Sequence, residues 1–152
     1  AGCAYSPSFG NMAIFGSLAH TGWFSKWRTG AWLKPLPATS QDLYDDDDGS
    51  RFETYNNRGG AAGIMSGCGV RRFCPTVRVS RARAAVTLAR ALDLPASETD
   101  HFTDDDGIGS EPYINAVADA GLIPACAAGR FCPSSTVLRG PMARYLRSGF
   151  EP

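Results

Sequence analysis

The 152-residue sequence has only two histidines, His20 and His101, and only two lysines, Lys26 and Lys34. It has no net charge, since 15 basic residues balance 15 acidic ones, and no apolar run near the ~18 residues of a membrane-spanning helix. Each shortage excludes something. Without a long apolar run, no membrane span is expected. Without a positive excess, electrostatic capture of nucleic acid is not the main task. The chain holds neither a G-x-S-x-G nucleophile elbow nor an H-E-x-x-H metal pair. His101 stands 58 residues beyond Leu43, so no repeated chemistry uses it. An enzyme is not expected, and no cofactor is implied. An apolar content of 43% excludes general disorder, and the length suits one compact domain or a short array.

What is present is a repeat. Shifted by 58 residues, the segment from Asp46 to Leu92 matches its own continuation at 18 of 47 positions without a gap. Asp46-Asp47-Asp48-Gly49 falls on Asp104-Asp105-Asp106-Gly107, and Ala62-Gly63 on Ala120-Gly121. Arg72-Phe73-Cys74-Pro75 falls on Arg130-Phe131-Cys132-Pro133, and Arg81 on Arg139. Internal repeats of this length mark supersecondary units that bury a core only against each other. The offset reaches back to Leu36-Pro37-Ala38, which matches Leu94-Pro95-Ala96, and to Phe15, which matches Phe73. The expected division is therefore a degenerate first unit with an aromatic N-terminal segment over 1–42, and full units over 43–100 and 101–152. In the worn unit Trp23, Trp27 and Ala31 recur at four-residue spacing. They read as a helix capping the open end of the array, or as an aromatic surface for stacking on sugars or gripping a partner.

Each full unit reads as acidic loop, helix, cysteine loop, helix. Ser80 is an N-cap candidate, followed by Ala82, Ala85, Val86, Leu88, Ala89 and Leu92 at helical spacing. Glu111-Pro112 opens another helix and Gly121 closes it, with Ile114, Val117 and Ala118 on one face. The last helix begins near Leu138 or Arg139, with Met142, Ala143 and Leu146 expected inward. The helix near Glu53 to Ala62 is weakened by Asn56-Asn57 and Gly59-Gly60. Phe131 is an expected core aromatic.

Cys68 and Cys74, and Cys126 and Cys132, form two C-x5-C pairs in register. They suggest two local disulfides and an oxidising compartment. A four-thiolate zinc site and free buried thiols are the competing readings, although zinc ligands favour two to four intervening residues. Cys3 is left over for a free thiol, a bond to a partner chain, or lipidation. The acidic knots at Asp45–Asp48 and Asp104–Asp106 offer hard oxygen ligands, but their spacing is not that of an EF-hand. Turn formation and helix capping are the expected roles, and no metal is expected.

Together these residues resemble the S-layer homology repeat, in the cysteine-containing variant of actinobacterial type. The resemblance is carried over Tyr44 to Leu92 and Phe102 to Phe150 by the aromatic-x-D start, the A-G-[IL] turn, F-C-P and V-x-R. It implies an all-α fold of helix-loop-helix repeats, two clear and one degenerate, in a pseudo-threefold bundle. It also implies a secreted bacterial cell-surface module that attaches non-covalently to secondary cell-wall polysaccharide. In that family the Arg of a T-R-A-E motif contacts an acidic pyruvylated sugar in a groove between units. The matching positions are Arg81, in Ser80-Arg81-Ala82-Arg83, and Arg139, in Leu138-Arg139-Gly140-Pro141; Trp23 holds that register in the first unit. The family's Glu is replaced by Arg83 in one unit and Pro141 in the other.

The candidate glycan-binding residues are thus Arg81, Arg139, Arg83, Trp23 and Trp27. An arginine at a helix N-terminus, beside free backbone N–H groups, is a good receptor for a carboxylate. It serves equally well to pin a neighbouring unit's loop. Two alternative functions remain at this point: a structural or adaptor subunit of an extracellular assembly, and an accessory tail of a larger secreted hydrolase.

Overall fold

A computed structural model of the chain describes residues 3–5, 12–14 and 41–150. The fold is all-α. Among the described residues the helices are α1 (Glu53–Ala61), α2 (Arg81–Ala91), α3 (Glu111–Asp119) and α4 (Arg139–Phe150). The described strands are β1 (Cys3–Tyr5) and β2 (Met12–Ile14), an antiparallel pair with Cys3 opposite Ile14 and Tyr5 opposite Met12. Trp23, Trp27 and the rest of residues 15–40 lie outside the described residues.

Local sequence explains the helix ends. Ser80 caps α2, its hydroxyl accepting the Arg83 N–H at 3.2 Å. Pro112 sits in the first turn of α3, where its missing N–H leaves no bond unmade. Gly121, at φ +65°, takes the left-handed position after α3, and the Leu122 N–H returns to the Val117 carbonyl at 2.9 Å. The weak sequence of α1 also has a reason. Asn56 and Asn57 are buried: Asn56 Nδ2 donates to Asp47 Oδ2 at 2.6 Å, and Asn57 Oδ1 accepts the Leu43 N–H at 2.8 Å. A Cβ on Gly60 would stand 2.2 Å from the Tyr44 hydroxyl, so the missing side chain admits that ring.

The core lies between α2, α3 and the last cysteine loop. Ala84, Ala85, Leu88, Ala89 and Leu92 meet Ile114, Val117, Leu122, Ile123, Phe102 and Phe131. Small alanines on α2 leave room for the large side chains opposite. Phe131 is fully buried and its ring lies 5.3 Å from that of Phe102; Tyr44 and Phe73 make the corresponding pair at 5.2 Å. In α4 the expected inward face is corrected. Met142 is partly buried, but Ala143 is exposed and Leu146 is 42% exposed, while Tyr145 turns into the core. The periodicity of α4 pointed to its aliphatic residues, whereas the buried position goes to the ring whose hydroxyl finds a polar partner in the core.

Candidate functional site

The cysteine loops are built by the residues that repeat. Cys68 is bonded to Cys74 and Cys126 to Cys132, each pair with Cα atoms 6.0 Å apart. Each pair closes within its own loop, and the four sulfurs do not gather into one cluster. The Asp46 carboxylate accepts the N–H groups of Phe73 and Cys74 at 2.7 and 2.8 Å. Asp104 does the same for Phe131 and Cys132 at 2.7 and 2.9 Å. These bonds hold Cys74 and Cys132 in the left-handed region, at φ 59° and 58°, which a non-glycine residue occupies only at a cost. Glu53 and Glu111 each accept a glycine N–H, from Gly49 and Gly107, at 2.8 Å. The acidic knots therefore form turns, as expected, but do not cap helices. The caps of α1 and α3 are Phe52 and Ser110, without side-chain bonds, and the carboxylates reach across 27 residues to pin a loop.

The two pins are also acid-sensitive. The Phe73 N–H lowers the Asp46 carboxyl below its ordinary value, against some desolvation. Desolvation acts to raise Asp104, but the N–H groups of Phe131 and Cys132 and the charge of Arg130 outweigh it, and the net shift is downward. A lowered carboxyl contributes stability above its unfolded value of about 3.9, and loses it as pH falls through the folded value. The stability gap between the wild type and an Asp46→Asn/Asp104→Asn variant should therefore be widest near neutrality and close below about pH 4. Urea midpoints measured across that range check this; a gap independent of pH would exclude the pins as its source.

Arg81 ties the two units together. Its Nε donates to the Phe131 carbonyl at 2.7 Å, Nη1 to the Tyr145 hydroxyl at 2.8 Å and Nη2 to the Pro124 carbonyl at 2.6 Å. The guanidinium carbon stands 4.6 Å from the centre of the Phe131 ring, and the residue is 8% exposed. Backbone bonds run alongside: Arg81 N–H to the Ser135 carbonyl at 2.8 Å, Ala82 N–H to Pro133 at 3.0 Å and Val137 N–H to Val79 at 2.9 Å. Arg139, identical in repeat position, is exposed.

Two surface grooves flank this junction. One, of about 520 Å³, is lined by Met65, Phe73, Val77, Arg78, Ala82 and Arg83 among others. The second, of about 420 Å³, is lined by Arg78, Thr136, Leu138, Arg139, Met142 and Leu146 among others. Arg78 borders both. Arg78, Arg83 and Arg139 are exposed, and their guanidinium groups have no hydrogen-bond or ion-pair partner among the described residues. Leu138 is 69% exposed beside them. The grooves thus combine apolar walls with free guanidinium heads, an arrangement suited to an anionic ligand with a hydrophobic face, such as a sugar ring bearing a carboxylate. Of the candidates from sequence, Arg83 lines the first groove and Arg139 the second. Arg81 lies in the junction, and Trp23 and Trp27 are outside the described residues. Arg78 was not singled out in sequence, because its repeat partner is Thr136.

Two acidic groups, Asp42/Asp47/Asp48 and Asp100/Asp105/Asp106, are arranged so that a carboxylate oxygen from each member lies within 4.8 Å of the others. Burial raises the Asp105 carboxyl above its ordinary value, with Asp100, Glu111 and Asp104 adding to the effect. Asp48 is raised chiefly by the charge of Asp42.

No protein-family model matches the chain. Over 121 residues, 78% of its length, the chain is 29% identical to S-layer protein EA1 of Bacillus anthracis. Over 88 residues, 58% of its length, it is 31% identical to an endoglucanase of Bacillus sp. (strain KSM-635). It spans 14% and 9% of those two proteins, so each likeness is to a small part of a much longer chain.

Proposed function

We propose that this chain is a module of S-layer homology repeats that holds proteins on a bacterial cell surface by non-covalent attachment to an acidic wall polysaccharide. The observation that carries the reading is the pair of relatives. A segment similar to this one occurs in an S-layer protein and in an endoglucanase, and it makes up a small fraction of each. A shared segment within proteins of such different names is what a transferable attachment module produces, whatever it is joined to. On this reading the module binds and does not catalyse, and it works outside the cell, where the Cys68–Cys74 and Cys126–Cys132 bonds persist.

The ligand-facing residues in this proposal are Arg78, Arg83 and Arg139, whose heads are exposed at the two grooves. Arg81 has the supporting role of holding the junction between them. An Arg78→Ala/Arg83→Ala/Arg139→Ala variant is expected to lose co-sedimentation with wall fragments at least tenfold, with its thermal midpoint unchanged. Wild-type retention by the folded variant would remove these arginines from the binding site.

The endoglucanase relative favours one further possibility, that the chain is an accessory part of a larger secreted hydrolase. That reading concerns the cargo and leaves the role of the module unchanged.

A further inference from the structure

We infer that the two acidic groups are calcium sites, one in each repeat, of which Asp100/Asp105/Asp106 is the stronger. Asp105 is 0% exposed, and neither of its carboxylate oxygens has a hydrogen-bond partner among the described residues. A buried carboxylate left without a partner is costly, and proteins satisfy one with a hydrogen bond, a cation or a metal. Here no donor and no cationic side chain pairs with it among the described residues, and its near neighbours, an oxygen of Asp100 and one of Asp106 within 4.8 Å, are carboxylates too. Two ligands of one Ca2+ stand at most about 5 Å apart, twice the ~2.4 Å metal–oxygen distance. The three side chains therefore converge as ligands of one hard cation converge.

The arrangement recurs 58 residues earlier, in Asp42, Asp47 and Asp48. Asp47 is 2% exposed and its Oδ1 has no partner among the described residues. Its Oδ2 accepts from Asn56, whereas the residue in Asn56's place beyond Asp105 is Ile114. The later site thus lacks the amide that partly relieves the earlier one, which ranks it first. The other acidic residues nearby are already committed: Asp46 and Asp104 to backbone N–H groups of the cysteine loops, and one oxygen each of Glu53 and Glu111 to glycine N–H groups. Three carboxylates on a loop favour Ca2+, which accepts flexible oxygen shells, over Mg2+, which demands a near-ideal octahedron. A cation there would tie the segment entering each unit, at Asp42 and Asp100, to the loop that pins the disulfide. Extracellular calcium modules bind with Kd of about 0.1–1 mM, and that range is expected here.

The test uses the full chain, stripped with chelator and titrated with CaCl2 alone, with thermal unfolding and calorimetry as readouts. Ca2+ at a hundredfold excess over Kd should raise the midpoint by about 5–10 °C for each occupied site. Asp105→Asn should lose most of that shift, while in chelator its midpoint equals or exceeds that of the wild type, because the amide buries no charge. Asp106→Asn, an exposed position, should weaken Ca2+ at least tenfold, and Asp93→Asn, outside both groups, should change nothing. The proposal is overturned by a wild-type midpoint that ignores millimolar Ca2+, by full Ca2+ affinity in Asp106→Asn, or by an equal shift with MgCl2.

Discussion

Arg81→Ala is expected to destabilise the chain by about 3–5 kcal/mol, and Arg139→Ala by no more than ~0.5 kcal/mol. The two residues are equivalent in the repeat, and their difference comes from what surrounds them. Arg81 donates to the Phe131 and Pro124 carbonyls and the Tyr145 hydroxyl, and lies over the Phe131 ring. Truncation removes a charge-assisted network and leaves the Phe131 carbonyl and the Tyr145 hydroxyl, both on buried residues, without their donor, at about 1–3 kcal/mol for each unsatisfied buried group. Pro124 is exposed, and its carbonyl can turn to water. Arg139 is exposed and makes no such contacts among the described residues. Arg81→Lys should recover less than half of the loss, since one ammonium cannot reproduce a planar fork directed at three acceptors. Urea unfolding of the three variants decides the matter. Equal losses for Arg81→Ala and Arg139→Ala would mean that the junction is not what holds the two units together.

Reduction of both disulfides should cost about 4–5 kcal/mol in total. Each bond closes a loop from one cysteine to another six residues on, and the chain-entropy model assigns about 2 kcal/mol to a loop of that size. Against a total stability of roughly 5–15 kcal/mol, this is a large share. The thermal midpoint should fall by about 10 °C or more in excess reductant. Alanine at Cys68 and Cys74, or at Cys126 and Cys132, should each give part of the effect. The pair in the later loop should weigh more, because Phe131 and the Arg81 contacts depend on that loop. A midpoint indifferent to reductant, with no protected cysteines by mass spectrometry of the native protein, would contradict the pairing.

Much of the fold was legible because its signals are local. Ser80, Pro112 and Gly121 mark helix ends through bonds made within a few residues, and all three are found in those roles. Phe131 was legible as a core residue because both cysteine loops carry an aromatic at that place. What was not legible depends on partners distant in sequence. The Asp46 and Asp104 carboxylates looked like turn or capping residues, and their bonds to Phe73 and Phe131 exist only after the chain has folded back 27 residues. The repeat set Arg81 and Arg139 side by side as equals, since a sequence register gives position but not neighbour. Tyr145 was missed for the same reason. Its place follows from Arg81, 64 residues away, and not from the periodicity of α4. Arg78 had no repeated partner to mark it, yet it borders both grooves.

Attachment to a wall polysaccharide is tested by sedimentation of the full chain with purified cell-wall sacculi. Two preparations are needed, one retaining its secondary polysaccharide and one chemically stripped of it. Attachment predicts that the chain pellets with the first and stays in the supernatant with the second, and that the free polysaccharide competes it off. Equal pelleting with both preparations, or none with either, would contradict it.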